Sequence, residues 1–261
     1  MVDFDNLNQT ESTKAKSRGW QGAVLKLLGA DDYLLTVTSN EKVTDEYIRL
    51  GFTGGGLLSD RPVHPTMWVR IWFENKHGKL HQRAYTLVDP DPATDSFHLE
   101  FAIHDGAATR WAAAAEPGDT ISSTFMGSKF AIPEPAPAGW LIAGDTAALP
   151  AINSLLDAIS ASANPSSAAT VWFEYAHESD KSLPLRLRDQ DTINWIKRDR
   201  GGDALVEAVR DAAFDATGHF GWVALDMKAT RAVSSSFKND YRLGKSGVKA
   251  QAYWRAGAPE S

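Results

Sequence analysis

Three prolines within five residues, Pro133, Pro135 and Pro137, divide this chain into two stretches with different periodicities. The segment FAIPEPAPAGW, residues 130–140, fixes φ near −65° at each proline and removes three backbone donors. It therefore favours an extended, semi-rigid connection between two units, each of which must bury its own core. Before it, residues 24–38, 47–52, 67–73, 80–88, 97–103 and 120–126 are rich in β-branched and aromatic side chains. Clusters of Gly, Asp, Asn and Pro separate them, which marks strands joined by turns. The one helical interruption is 106–116, where Gly-Ala-Ala-Thr-Arg-Trp-Ala-Ala-Ala-Ala is dense in helix formers. Strands at this spacing predict a small antiparallel six-stranded barrel.

After the prolines, strand patterns at 140–143, 169–175, 192–196 and 222–225 alternate with helix patterns at 149–162, 203–213 and 228–241. Such alternation predicts parallel βαβ units and an α/β sheet. The expected division is residues 1–130 for the barrel, 131–140 for the linker and 141–261 for the α/β domain. A length of 261 residues suits two domains of about 100 to 150 residues each.

Composition narrows the chemistry. With no cysteine, the chain has no thiolate-ligated iron–sulfur cluster, no cysteine zinc site and no redox dithiol. Redox chemistry would need a bound cofactor. The net charge of −6 argues against a nucleic-acid surface, but the charge is unevenly spread. Lys228, Arg231, Lys238, Arg242, Lys245, Lys249 and Arg255 stand against Asp240 alone in residues 227–256, so that segment is +6 and the remainder −12. A basic tail of this kind is either a solvated helix face or a surface turned toward an anionic ligand. No apolar run approaches a membrane span, so no membrane insertion is expected. The polar first 20 residues lack the apolar core of a signal peptide, which makes a cytoplasmic location the expectation.

Searches for nucleophiles and metal ligands return little. The seven histidines form no HExxH, and no G-x-S-x-G elbow, Walker A loop or GxGxxG is present. His77 and His81 flank the Gly78-Lys79 turn of an expected hairpin and read as surface residues. Gly54-Gly55-Gly56 reads as a flexible loop. More informative is Gln82-Arg83-Ala84-Tyr85-Thr86 at a strand end, followed about twenty residues later by His104-Asp105-Gly106 opening a helix. An arginine beside an aromatic ring and a hydroxyl suits a phosphate and a planar heterocycle. A Gly-Ala-Ala-Thr helix start adds free N–H groups and the positive end of a dipole.

In these features the sequence resembles the siderophore-interacting proteins, FAD-dependent ferric-siderophore reductases built on the ferredoxin-reductase-like plan. The resemblance is carried by Arg83-Ala84-Tyr85-Thr86, His104-Asp105-Gly106 running into Arg110-Trp111, and Pro117-Gly118-Asp119. It continues through Gly144-Asp145-Thr146-Ala147-Ala148-Leu149-Pro150-Ala151-Ile152, Trp222-Val223-Ala224 and Tyr253-Trp254-Arg255-Ala256-Gly257. It implies a flavin-binding antiparallel barrel followed by a nucleotide-binding α/β domain.

Carried onto this chain, the resemblance implies that Arg83, with Ala84 beside it, neutralises the FAD pyrophosphate, that Tyr85 packs on the isoalloxazine and that Thr86 approaches its polar edge. Strict alternation puts Tyr85 and Thr86 on opposite faces, so the strand should end or twist there. The backbone of Ala102, Ile103 and His104 and the helix start at Ala107, Ala108 and Thr109 would hold the remaining phosphate and ribose. Trp111 would pack near the adenine or beneath the helix. Gly144, Asp145, Thr146 and Ala148 would face the flavin or a nicotinamide nucleotide, at the strand-to-helix turn where open α/β sheets bind nucleotides.

The chain departs from the family at Ala147, where Thr is usual, and at Asp226, where Glu is usual. Both changes bear on use of NADH or NADPH, and a ferredoxin is the other expected donor. Arg70, Lys129 and Arg255 would bind the anionic ferric siderophore. No side chain need act as acid or base, and no protein-bound metal is implied, because the flavin carries the chemistry. The resemblance thus implies a ferric-chelate reductase serving iron acquisition. Two other readings stay open at this point: a flavin reductase feeding another acceptor or a partner oxygenase, and a non-catalytic module holding a flavin or an iron chelate.

Overall fold

The computed structural model describes residues 31–75, 77–127 and 129–255. The first part of the expected strand at 24–38, the N-terminal segment, and Ala256 and Gly257 of the terminal motif lie outside the described residues. Seven antiparallel strands form the first sheet: β1 (Asp31–Thr44), β2 (Tyr47–Thr53), β3 (Trp68–Glu74), β4 (Leu80–Thr86), β5 (Val88–Asp91), β6 (Ser96–Ala102) and β7 (Thr120–Phe125). They lie in the order β4-β3-β7-β1-β2-β6-β5.

The closed six-stranded barrel expected from sequence is therefore corrected to an open, seven-stranded half-barrel. The reason lies at Leu87. The stretch 80–88 reads as one strand but breaks there, and β4 and β5 go to opposite edges of the sheet. Leu87 is buried and donates its N–H to Met67 O at 2.8 Å. The chain crosses the seam at this residue, and no ladder between β4 and β5 closes it. Pro90 fits β5, because an edge strand tolerates a missing donor.

β1 extends six residues beyond the expected end, with irregularities after Val37 and Lys42. Its extension through Ser39, Asn40, Glu41 and Lys42 is solvent-exposed, so no apolar alternation announced it. Asn40 is functional within the fold: its amide donates to Ala112 O (3.0 Å) and Ala115 O (2.8 Å). Those carbonyls end α2 (Ala107–Ala114), which has no glycine cap of its own. The glycine run precedes a one-turn helix, α1 (Leu57–Asp60). Its loop is clamped, since Asp95 accepts from Gly56 N (2.6 Å) and Leu58 N (2.9 Å), and a Cβ on Gly54 would sit 2.5 Å from Asp95 Oδ1. His77 is exposed at the β3–β4 turn, but His81 is buried with its ring 6.3 Å from Phe73, contrary to its expected surface position.

The second sheet is parallel, in the order β10-β9-β8-β11-β12, from β8 (Trp140–Asp145), β9 (Ala169–Tyr175), β10 (Thr192–Lys197), β11 (Phe220–Ala224) and β12 (Val248–Ala250). β8 is buried throughout, as a central parallel strand must be when both faces are covered. α3 (Leu149–Ser160) covers one face, where Ile142, Val171 and Phe173 meet Leu149, Ile152 and Leu156. α4 (Asp203–Asp211) and α5 (Met227–Asn239) cover the other, around Trp172, Val223 and Phe237.

Tyr47 of β2 and Phe130 of the proline-rich segment pack into the α3-side core, so the two sheets meet there. Arg186 adds an ionic link, reaching Asp89 Oδ1 at 2.6 Å and Asp157 Oδ2 at 2.5 Å. Among the described residues, no helix is long and apolar enough to cross a membrane.

Candidate functional site

Three neighbouring places carry the expected residues. The first is the rim of the half-barrel. β4 pairs with β3 so that Arg70 faces Ala84, Val69 faces Tyr85 and Trp68 faces Thr86. Arg83 and Ala84 are exposed, and Arg83 folds back onto Gln82 O at 3.0 Å. Arg70 lies with its guanidinium carbon 5.6 Å from the centre of the Trp68 ring, and its Nε is buried without a hydrogen-bond partner.

Tyr85 turns into the half-barrel, its ring 4.4 Å from Phe101 and 6.0 Å from Phe73, and burial pushes its phenol above the usual range. That ring contact draws β4 against β6, so the Arg83–Thr86 run and the Ala102–His104 run share one rim. β4 ends at Thr86, as the alternation argument required, and Thr86 is buried there.

Beyond β6, the backbone divides in its readiness for a ligand. Ile103 N–H is already committed to Glu46 O (2.8 Å), while His104 is exposed and its N–H reaches only the Thr109 hydroxyl at 3.5 Å. α2 begins behind Gly106 with no side-chain cap and no acidic residue in its first turn. Ala107, Ala108 and Thr109 are buried there and carry only small side chains. Trp111 lies beneath the helix, its ring 6.5 Å from Phe52 and nearly parallel to it, and 5.9 Å from Phe73.

The second place is the crest of the parallel sheet. A Cβ on Gly144 would meet Ile152 Cδ1 at 2.7 Å and Ala148 Cβ at 3.0 Å, so this glycine serves close strand–helix packing. Asp145 is buried and accepts from Ala147 N (3.0 Å), Ala148 N (3.2 Å) and the Trp254 indole (2.7 Å). Burial nevertheless pushes its carboxyl up to about 6. Thr146 O accepts from the Tyr47 hydroxyl at 3.3 Å.

Asp226 caps α5, accepting from Lys228 N at 2.8 Å, and its other oxygen is buried without a partner. Glu174, at the end of β9, pairs with Arg198 at 3.0 Å and is pushed up to about 7 by burial. Glu174 and Arg198 escaped the sequence reading. The available signal was an acidic residue at the end of the second parallel strand.

The third place is a cleft between the sheets, lined by Trp68, Lys129, Phe130, Trp222, Lys249 and Tyr253. Trp68, the strand partner of Thr86, joins it to the end of β4. Lys249 had been visible only as part of the basic tail. Of the three expected substrate cations, Lys129 lines this cleft and Arg70 neighbours it through Trp68. Arg255 is exposed and lines a separate groove with Asp226, Lys228 and Arg231. The structure therefore does not gather the three cations around one point.

A half-barrel set against a parallel sheet across an aromatic cleft has the two-domain plan of the ferredoxin-reductase-like fold. Residues 34–127 match the siderophore-interacting FAD-binding domain and residues 137–257 match the siderophore-interacting protein family. The chain belongs to that family, whose members are FAD-binding ferric-siderophore reductase-like proteins.

It is 32% identical over 246 residues to the mycobactin import ATP-binding/permease protein IrtA of Mycolicibacterium smegmatis, covering 92% of this chain. The chain spans only 28% of that relative's length. It is 23% identical over 253 residues to the ferric vibriobactin reductase ViuB of Vibrio cholerae, covering 87% of this chain and 90% of the relative. Among solved structures, a siderophore utilization protein from T. fusca superimposes with a TM-score of 0.76 at 21% identity, covering 89% of this chain and 95% of the other.

Proposed function

We propose that this chain binds FAD on the β4–β6–α2 rim and reduces ferric siderophore, releasing iron as Fe(II) in the cytoplasm. The observation that carries the reading is the placement of the cleft. Its two lysines and aromatic walls begin at Trp68, whose strand partner Thr86 closes the Arg83–Thr86 run.

The residues present fit FAD. Exposed Arg83, the unpartnered Nε of Arg70 opposite Ala84, and the uncapped start of α2 offer three separate attractions for an anion. Arg83 and the N–H groups at Ala107 and Ala108 would hold the pyrophosphate. Tyr85 would wall one side of the flavin ring, Thr86 would stand at its edge, and Trp111 would support α2 from below. When bound, FAD supplies the conversion between a two-electron donor and the one-electron acceptor Fe(III). NADH, NADPH or a ferredoxin would provide the electrons.

The substrate is held by this chain's own cations. Lys129 and Lys249 attract an anionic ferric complex into a cleft whose apolar walls strengthen that attraction. Residues 1–130 act in this reading as the FAD domain, 131–140 as linker and 141–261 as the nucleotide-binding-like domain.

The test uses FAD-loaded protein, reduced anaerobically and mixed with a ferric tris-catecholate. Rapid reoxidation of the flavin, with Fe(II) appearing, is the expected result. Lys129→Glu and Lys249→Glu should each raise KM about tenfold without changing FAD content, the scale of one charge-assisted contact. Reduced flavin that the ferric complex leaves unoxidised would refute the function.

A further inference from the structure

The chain's last described residues run up the side of the parallel sheet. β12 pairs with β11, then Gln251 N–H donates to Val223 O (2.9 Å), Tyr253 N–H to Leu225 O (2.9 Å) and Met227 N–H to Trp254 O (3.0 Å). Once past the end of β11, Trp254 turns across the crest. Its indole N–H donates to Asp145 at the end of β8 at 2.7 Å, and the Arg198 guanidinium, just beyond β10, stacks 4.5 Å from its ring centre. Arg198 is held in turn by Glu174 of β9 at 3.0 Å. One indole thereby connects the ends of β11, β8, β9 and β10.

This is where an open α/β sheet receives a dinucleotide. β8 is the central strand, with β9 on one side and β11 on the other, and the strand order reverses there. Two demands of such a ligand are already met from within the chain. The N–H groups of Ala147 and Ala148, which open the turn into α3, donate to the Asp145 carboxylate in place of a phosphate. The flat indole, with a cation stacked on it, fills the place of a planar heterocycle.

We propose that Trp254, pinned by Asp145 and Arg198, is a resident occupant of the nucleotide crest and sets electron-donor specificity. Nicotinamide dinucleotides must displace the indole, whereas a one-electron protein carrier, which does not enter the crest, need not. Two such carriers would each give one electron for every two Fe(III) reduced to Fe(II). The proposal rests on the FAD reading for its catalytic consequence, but the occupancy itself is seen in the contacts of Trp254 with Asp145 and Arg198 and does not depend on FAD.

The occupancy is tested by calorimetric titration of NAD⁺ and NADP⁺ into wild type, Trp254→Ala and Trp254→Phe. Wild type should show no binding up to about 1 mM, and Trp254→Ala should bind one of the two at least about tenfold more tightly. Trp254→Phe keeps a ring and loses the bond to Asp145, so it should show a smaller gain, and it decides the matter if the alanine variant does not fold.

Stopped-flow reduction of the bound flavin by NADH or NADPH should accelerate about tenfold in Trp254→Ala, with reduction by reduced methyl viologen unchanged. Nucleotide binding by wild type as tight as by the variants, or no gain in either variant, overturns the proposal. Protein that takes up no FAD would defeat the functional reading while leaving the titration interpretable.

Discussion

The rim of the half-barrel and the crest of the parallel sheet are built from similar polar groups but treat them in opposite ways. At the rim, Arg83 reaches only its own neighbour's carbonyl in the pairs described, Arg70 Nε has no partner and the first turn of α2 has no side-chain cap. At the crest, Asp145 has three donors, Glu174 has Arg198, and Asp226 caps its own helix. The rim thus offers unpartnered donors, whereas the crest spends two backbone N–H groups and an indole on Asp145 and keeps two buried carboxylate oxygens, Glu174 Oε1 and Asp226 Oδ2, without a partner. Gly144 and Asp145, the glycine and the acid of the Gly144–Ala148 turn, are engaged there by close packing and internal hydrogen bonds.

Three experiments would break or sharpen this contrast. The largest effect is expected at the rim, where Arg83→Glu should weaken FAD binding about 100-fold, on the order of 3 kcal/mol, in a fluorescence titration. Its unfolding midpoint in urea should stay unchanged, because the side chain is exposed. Equal FAD affinity in the variant would remove the rim from the cofactor site.

At the crest the signs reverse. Gly144→Ala should cost about 1–3 kcal/mol of stability by overpacking against Ile152 and Ala148, measured by urea unfolding. The folded fraction should retain its FAD. Loss of FAD without loss of stability would make Gly144 a ligand residue after all.

The smallest effect concerns pH. Burial raises Glu174 from 4.5 to about 7 and Asp145 from 3.8 to about 6, so the folded chain holds protons that the unfolded chain has lost. Stability from these groups is greatest below their unfolded values and declines as pH rises toward the folded ones, levelling off above about 7. Glu174→Gln should reduce the decline between about pH 5 and about pH 8 by on the order of 1 kcal/mol, allowing for partial solvent screening. A decline identical to that of wild type would show that Glu174 is ionised throughout.

Patterns that depend on neighbours in sequence were legible. The alternation of Val69, Ile71 and Phe73 marked β3, the apolar run from Trp140 marked β8, and alternating strands and helices marked the parallel sheet. Patterns that depend on distant partners were not. The polar half of β1 reads as loop because its side chains face solvent and Asn40's partners lie more than 70 residues away. β12 is three residues long, and nothing local distinguishes it from the basic tail.

The same holds for the candidate site. Arg83-Ala84-Tyr85-Thr86 stood out as a motif, but the bond from Trp254 to Asp145 spans 109 residues and no spacing rule reaches it. Openness of the half-barrel was equally hidden, because alternation records which face a strand buries and not which strand it meets.

That openness bears on the order of assembly. The β3–β4 hairpin joins the rest of its sheet through β7 alone, since β7 lies between β3 and β1 in the ladder. Tyr85 sits on one side of that junction and Phe101 on the other, so their 4.4 Å contact is secured only after residues 120–125 have been made and paired. The residues proposed to hold the cofactor, Arg83 to Trp111, all precede β7, yet that last strand of the sheet is its keystone. A ribosome-bound chain that stops short of β7 would carry the whole rim motif without the joined sheet that gives it shape.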